Sequence, residues 1–136
     1  NGTIAFDTLT TSDSVKTSTE KSIDTSYIFN GVAKAWVNFD GTGTVSIRDD
    51  LNTTSITDNA VSSFTMNITN AMANTNSAPV TAGQRFESST SYAGKIDANM
   101  ISSSTVRLLT GYEDTQTGQV PADLDFNHIA VFGDLA

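Results

Sequence analysis

The only histidine of the chain, His128, is the side chain best suited to acid–base chemistry near neutral pH. A general base needs a nucleophile or an orienting carboxylate within hydrogen-bond reach, and Asp123 and Asp125 are close in sequence. No nucleophile motif such as Gly-x-Ser-x-Gly accompanies them. In a trimer, three copies of His128 near the axis could also hold a metal ion. The favoured interpretation is a histidine of the last strand that is bonded to a neighbour.

The acidic residues occur in small groups that could belong to a glycosidase. They are Asp49-Asp50, Asp97, Glu113-Asp114 and Asp123 with Asp125. Such an enzyme needs two carboxylates about 5 or about 6.5–9.5 Å apart across a cleft, and no group has a recognisable catalytic context. Residues 114–125 also lack the spacing of a calcium loop. The sequence therefore predicts solvated loop acids, with no enzymatic activity, no cofactor and no metal site.

A single tryptophan, Trp36, lies in the segment AKAWVNFDGTGTVSIRDD at residues 33–50. As a sugar platform, its indole would stack on a pyranose ring while Lys34, Asn38 or Arg48 supplied hydrogen bonds. As a structural residue, it would pack at a subunit contact or beneath the N-terminal segment, with its N–H bonded to a carbonyl. Because Trp36 lies in the middle of a predicted strand and binding residues favour loops, the sequence favours the structural role.

The composition restricts the possible fold classes and partners. The 136 residues suit one domain, and Thr and Ser make up more than a quarter of them. Thr favours strands and Ser favours turns, so an all-β protein is expected. The formal net charge of −8 argues against nucleic acid, and no apolar run approaches the roughly 20 residues of a membrane span. The chain has no cysteine, so packing or oligomerisation must stabilise it.

Alternation of apolar and polar residues predicts the strands. Ala35, Val37 and Phe39 share one face of a first strand, and Asp40-Gly41 turns the chain into a return strand with Val45 and Ile47 inward. Three further patterns are expected: Phe64, Met66 and Ile68 inward after a turn at Asp58-Asn59; Val106 and Leu108 on one face; and a last strand, FNHIAVFGD, with apolar residues on both faces.

The strands recur at intervals of roughly ten residues, which is typical of an antiparallel β-sandwich. We expect this sandwich at residues 32–136, preceded by an extended arm or neck at residues 1–31 with one or two short strands. Residues 84–102 contain weaker strand candidates, and residues 114–125 are expected to form a polar loop. A Ser/Thr-rich domain of this size buries a modest core, so a homotrimer that shares apolar faces around an axis is expected.

Residues 33–72 carry a resemblance to a known family. The segment AKAWVNFDGTGTVSIRDDLNTTSITDNAVSSFTMNITNAM resembles the start of a β-rich C-terminal domain of tail-fibre-like proteins of bacteriophages, especially marine ones. In that family an AKAWVNF-x-G strand is followed by an IRDS-x-N strand end, an ITDN-G turn and a strand ending in T-x-A-M. The last ten residues match loosely. Asp50 stands where Ser is usual, and the segment after Met72 lacks the family's Tyr, which leaves open what the loops bind.

The resemblance implies a virion protein at or near the tip of a tail fibre. It implies a homotrimer that attaches, without catalysis, to a host-surface polysaccharide or an outer-membrane receptor, beside other virion proteins. A capsid or tail decoration domain, or a head fibre, is the alternative. A polysaccharide-degrading tail spike is disfavoured, because the chain is short and has no solenoid repeat.

Two sets of site residues follow from these expectations. Exposed aromatic or amide side chains in or near polar loops are the candidates for receptor binding, namely Tyr112, Tyr92 and Asn52. The candidates for the oligomer interface are Trp36, His128 and Phe132.

Overall fold

The computed structural model describes residues 8–10, 22–87, 90–114 and 116–136. Contacts between Cα atoms separate the chain into two compact units, residues 1–32 and residues 33–136. Across the described residues, strands account for all regular structure except one short helix. The prediction of an all-β, antiparallel protein is therefore confirmed.

The described part of the first unit consists of two short strands and the helix. Strands β1 (Thr8–Thr10) and β2 (Ser22–Asp24) pair antiparallel, and helix α1 (Thr25–Gly31) follows. The Asp24 carboxylate accepts a hydrogen bond from the Ser26 N–H at 2.8 Å and caps the helix. Helix α1 was not expected from the sequence. The arm expected at residues 1–31 lies mostly outside the described residues.

The second unit is built around one antiparallel sheet of nine strands. Its order is β4-β3-β11-β7-β8-β9-β6-β5, and β10 pairs with the end of β9. The strands are β3 (Ala35–Asp40), β4 (Ser46–Leu51), β5 (Thr53–Ala60), β6 (Ser63–Ile68), β7 (Ala78–Glu87), β8 (Thr90–Ser102), β9 (Thr105–Asp114), β10 (Gly118–Pro121) and β11 (Phe126–Phe132).

The two edge strands of this sheet, β4 and β5, are consecutive in the chain and meet around Asn52. The Thr53 hydroxyl donates to the Trp36 carbonyl at 3.1 Å, across from β5 to β3. The sheet therefore curls into a nearly closed barrel. This single sheet replaces the two-sheet sandwich that the spacing of the strands predicted, because spacing does not reveal which strands pair.

The barrel interior holds the apolar faces of the strands. Its buried side chains are Ala35, Val37, Phe39, Phe64, Met66, Ile68, Met72, Ile96, Met100, Val106, Leu108, Leu124, Ile129 and Val131. The rings of Phe39 and Phe64 pack edge to face, with centroids 5.4 Å apart. The inward positions predicted for β3, β6 and β9 are thus confirmed.

Each end of the barrel is covered by one buried apolar side chain from a loop. At the A end, where β3, β5, β7 and β9 begin, Met72 is buried and its N–H donates to the Ser103 carbonyl at 2.7 Å. At the B end, where those strands finish, Leu124 is buried and its carbonyl accepts from the Gly41 N–H at 2.9 Å. The chain enters the barrel at the A end, through Ala33.

Two expectations about the loops are wrong. The turn predicted at Asp58-Asn59 lies instead at Val61-Ser62, where Ser62 has φ 65° and its N–H donates to the Asp123 carboxylate at 2.7 Å. Residues 114–125 do not form a single polar loop, since they contain β10 and the buried Leu124.

The return strand of the first hairpin also differs from its prediction. Val45 precedes β4 and packs partly against the core, but Ile47 is exposed, as is all of β4. Ile47 lies opposite the buried Phe39, but it is 36% exposed because β4 is an edge strand of the sheet.

Candidate functional site

A row of apolar side chains crosses the outer face of four neighbouring strands. Leu51 of β4 lies opposite Trp36 of β3, and Trp36 lies opposite Ala130 of β11. Ala130 in turn lies opposite Val80 of β7. Leu51 is 49% exposed and Val80 is 58% exposed, whereas Trp36 is partly buried. This row is well ordered by hydrogen-bonded strands but is not covered by the barrel itself.

A more polar row lies beside it, toward the B end. Asp49, Asn38, His128 and Ala82 lie opposite one another on β4, β3, β11 and β7. Asp49 and His128 are exposed, and Asn38 is partly buried. The two rows therefore place an indole next to a carboxylate, an amide and an imidazole.

Between these side chains lies a depression of about 420 Å³, here called the Trp36 groove. The outward-facing side chains that line it are Trp36, Asn38, Asp49, Val80, Ala82, His128 and Ala130. The small alanines explain its shape, since Ala130 separates Trp36 from Val80 and leaves the space between them unfilled. Its volume falls in the range of small-molecule sites, about 300–1,000 Å³.

The Asn38 amide is unusual among the side chains of the groove. Its Oδ1 atom is buried and has no hydrogen-bond partner among the described residues. A buried acceptor that lacks a donor costs about 1–3 kcal/mol. The last torsion of Asn is broad and two-fold, so rotation exchanges Oδ1 and Nδ2. Because Oδ1 is buried as the side chain stands, the amide presents this acceptor to a ligand in the groove only after such a rotation.

Arg48, which the sequence suggested as a hydrogen-bond donor beside Trp36, is directed elsewhere. Its guanidinium pairs with the Asp40 carboxylate at 2.8 Å and donates to the Asp125 carbonyl. It also stacks over the Phe126 ring at 4.5 Å from the centroid. Arg48 and Lys34 are not among the groove residues, so of the three predicted partners of Trp36 only Asn38 lines the groove.

The predicted receptor-binding tyrosines lie toward the B end, away from the Trp36 groove. Tyr112 of β9 is partly buried, and the Arg85 guanidinium lies 4.3 Å from the centroid of its ring. Tyr92 pairs in register with Arg85. The structure thus brings the backbone positions of Tyr112 and Tyr92 to neighbouring strands, with Arg85 as a residue that the sequence analysis did not single out.

Asn52, the third receptor-binding candidate, is at the opposite end and has a structural role. Its Nδ2 donates to the carbonyls of Lys34 and Asn70, each at 3.0 Å. Its Oδ1 accepts from the Asn70 N–H at 2.7 Å, and its backbone has φ 55°. These bonds occupy both groups of the amide and hold the junction between β4 and β5.

The three residues predicted for an oligomer interface share the outer face of β3 and β11. Trp36 and His128 line the groove, and Phe132 lies further toward the A end, opposite Ala78 of β7. Asp123, suggested as an orienting group for His128, instead accepts from the Ser62 N–H.

The acidic side chains with displaced pKa values serve turns rather than a cleft. Hydrogen bonds from Gln116 N–H and Thr117 N–H to its carboxylate hold the pKa of Asp114 below its ordinary value. Hydrogen bonds from Ser26 lower the pKa of Asp24 in the same way. In the part of the chain that the structure describes, no three His, Cys, Asp or Glu residues cluster closely enough to hold a metal ion.

Comparisons with protein-family models, with curated proteins and with solved structures find no match to this chain. Among the described residues, no helix is long and apolar enough to cross a membrane.

Proposed function

We propose that this chain is a non-enzymatic attachment domain of a bacteriophage tail fibre, displayed on the virion as a homotrimer, that holds a host-surface receptor in the Trp36 groove. The resemblance of residues 33–72 supports the viral context, and that segment contains Trp36, Asn38 and Asp49. The groove supports the binding role.

The observation that carries the proposal is the pairing of a partly exposed indole with an unsatisfied amide in one groove. An aromatic side chain offers a large contact area and an unpartnered polar atom offers a specific bond. Both belong to β3, which is hydrogen-bonded on either side by β4 and β11, so the site needs little ordering when a ligand binds.

Homotrimer formation is supported by the apolar side chains beside the groove. Leu51 is about half exposed, and Phe132 is partly buried on the same outer face. Burial of such side chains between copies would complete a modest core. In this arrangement the groove remains open to solvent at the margin of the subunit contact.

A second candidate is a decoration or head-fibre domain in which the whole outer face is covered. The continuous apolar row Leu51–Trp36–Ala130–Val80 favours it, because an exposed apolar row is also what a protein contact requires. Trp36, His128 and Phe132 would then all lie in the contact, as the sequence analysis expected.

Competition for attachment tests the proposal. The purified chain is added to host cells before a phage that carries it, and adsorbed phage are counted. We expect the wild-type chain to block adsorption, Trp36→Ala to lose about tenfold or more in potency, and Leu109→Ala to keep the wild-type potency. Leu109 is a suitable control because it is 50% exposed on β9, in another part of the barrel wall.

Other outcomes distinguish the alternatives. No competition at saturating wild-type protein contradicts the attachment role. Loss of potency in Tyr112→Ala but not in Trp36→Ala moves the receptor site to the B end. Dissociation of the trimer by Trp36→Ala supports the second candidate, and release of reducing sugar from host polysaccharide supports an enzyme.

A further inference from the structure

We infer that the Trp36 groove selects non-acidic saccharides, neutral or amino-bearing, and discriminates against saccharides that carry carboxylates. This inference rests on the proposed function in one respect, that the groove is a ligand site. The chemical class of the ligand follows from the groups that line the groove.

The apolar part of the groove fits the face of a sugar ring. Ala130 forms a low floor between the indole of Trp36 and the side chain of Val80. The C–H groups of a pyranose can pack against the indole and the alanine methyl, while its hydroxyl groups point to the polar row.

The polar part of the groove is rich in acceptors. The Asp49 carboxylate has one oxygen that accepts from the Asp50 N–H at 2.9 Å, which leaves the other oxygen for a ligand. The Asn38 Oδ1 has no donor among the described residues. The free Asp49 oxygen can accept from a hydroxyl or an ammonium group of a ligand, and the buried Asn38 Oδ1 can do so once the amide rotates toward the groove.

The charges around the groove exclude acidic ligands. Asp49 is a carboxylate, and neither lysine nor arginine lines the groove. Arg48, which directly precedes Asp49 in the sequence, is paired with Asp40 and stacked on Phe126. With a chain net charge of −8, a carboxylate sugar would meet repulsion from Asp49, and His128 is the one groove side chain that could pair with it.

Calorimetric titration of the full chain tests the inference with three probes: malto-oligosaccharides, chitosan oligosaccharides and oligogalacturonates. We expect one or both of the first two to bind and oligogalacturonate to bind at least about tenfold more weakly. Asp49→Asn removes the negative charge, so the difference in affinity between oligogalacturonate and the other two probes should become smaller.

A matched pair of substitutions locates the binding. Ala130→Leu fills the floor of the groove and should abolish binding, whereas Asn99→Leu places the same apolar side chain at an exposed position of β8 and should change nothing. Circular dichroism should be unchanged in both, because Ala130 and Asn99 are not part of the buried core.

Preferred binding of oligogalacturonate, binding that survives Ala130→Leu, or no binding of any probe overturns the inference. The result is separable from that of the attachment assay. Saccharide binding without competition for adsorption contradicts the proposed function and leaves the inference intact. Competition for adsorption that depends on Trp36, together with preferred binding of acidic saccharides, supports the proposed function and contradicts the inference.

Discussion

At the scale of single residues, the Asn52 amide joins three segments of the chain. It bonds to Lys34, which precedes β3, and to Asn70, which follows β6, while its own backbone connects β4 to β5. Its positive φ of 55° is one that Asn tolerates better than most residues. One side chain thus closes the A end of the barrel seam.

Two replacements of Asn52 should separate the contribution of its amide hydrogen bonds to stability from that of its backbone conformation. Asn52→Ala loses the amide bonds and places a Cβ-bearing residue without a local polar partner at positive φ, for an expected loss of about 3 kcal/mol in the free energy of unfolding. Asn52→Gly loses the same bonds but relieves the backbone, and should cost about 1 kcal/mol less than Ala. Urea denaturation measures both, and equal losses would show that the backbone conformation contributes nothing.

Asp114 should make the stability of the B-end turn depend on pH. Hydrogen bonds from the Gln116 and Thr117 amides lower the pKa of Asp114 in the folded state. Its contribution to the free energy of unfolding is therefore fully present above the ordinary pKa of an aspartate. The contribution is lost as the pH falls through the lower, folded-state value. Carboxyl-carbon NMR titration should give Asp114 a lower pKa than the peptide reference, and Asp114→Asn should flatten the acid limb of the stability curve. A reference-like pKa contradicts these bonds.

At the scale of strands, β7 and β8 cross closely at a pair of glycines. Gly83 and Gly94 lie directly opposite each other. A Cβ at Gly94 would lie 2.5 Å from the carbonyl carbon of Gly83, which is backbone. A Cβ at Gly83 would instead meet the ends of the Leu124 and Ile96 side chains, at 2.8 and 2.9 Å.

These neighbours predict that alanine destabilises the protein less at Gly83 than at Gly94. Gly83→Ala should cost about 1–2 kcal/mol, since side-chain ends can shift, and Gly94→Ala should cost about 3 kcal/mol or more, since backbone cannot. Thermal unfolding of the two variants, beside wild type, measures the difference. A smaller loss in Gly94→Ala than in Gly83→Ala would falsify the contact at this crossing.

The strands differ in how far the sequence could predict them. Alternation placed Val37, Phe64 and Leu108 inward correctly, because a half-buried strand imposes a period of two on its own residues. The turn near residue 60 was placed too early, since Asp58-Asn59 has turn-like composition but Ser62 carries the positive φ. Composition favours a turn without fixing the bond, here from Ser62 to Asp123, that decides its position.

The groove could not be predicted from the sequence, for a related reason. Trp36 and Asn38 were singled out, but Val80, Ala82 and Ala130 were not. They come to the same face only through the pairing of β3, β11 and β7, which joins distant parts of the chain. The last strand was expected to carry apolar residues on both faces, which did not indicate an outward face for Ala130, and nothing local indicated its neighbour.

At the scale of the whole molecule, the proposed homotrimer predicts the mass in solution. Light scattering of the wild-type chain should give three times the chain mass. Leu51→Asp places a charge on an exposed edge-strand position outside the groove lining, and should yield a monomer with an unchanged far-ultraviolet spectrum. Asn99→Leu is the control that should remain trimeric, and a wild-type monomer contradicts the shared apolar surface.

The position of Trp36 only three residues after Ala33 has a mechanical consequence. A pull on a receptor held in the groove would pass into β3 and leave the barrel along the same strand. Because β3 is bonded to β4 and β11 on both sides, such a pull would load many hydrogen bonds at once, in shear, instead of opening them one by one. The force would then pass through β3 and its two neighbouring strands, and the other strands of the sheet would carry little of it.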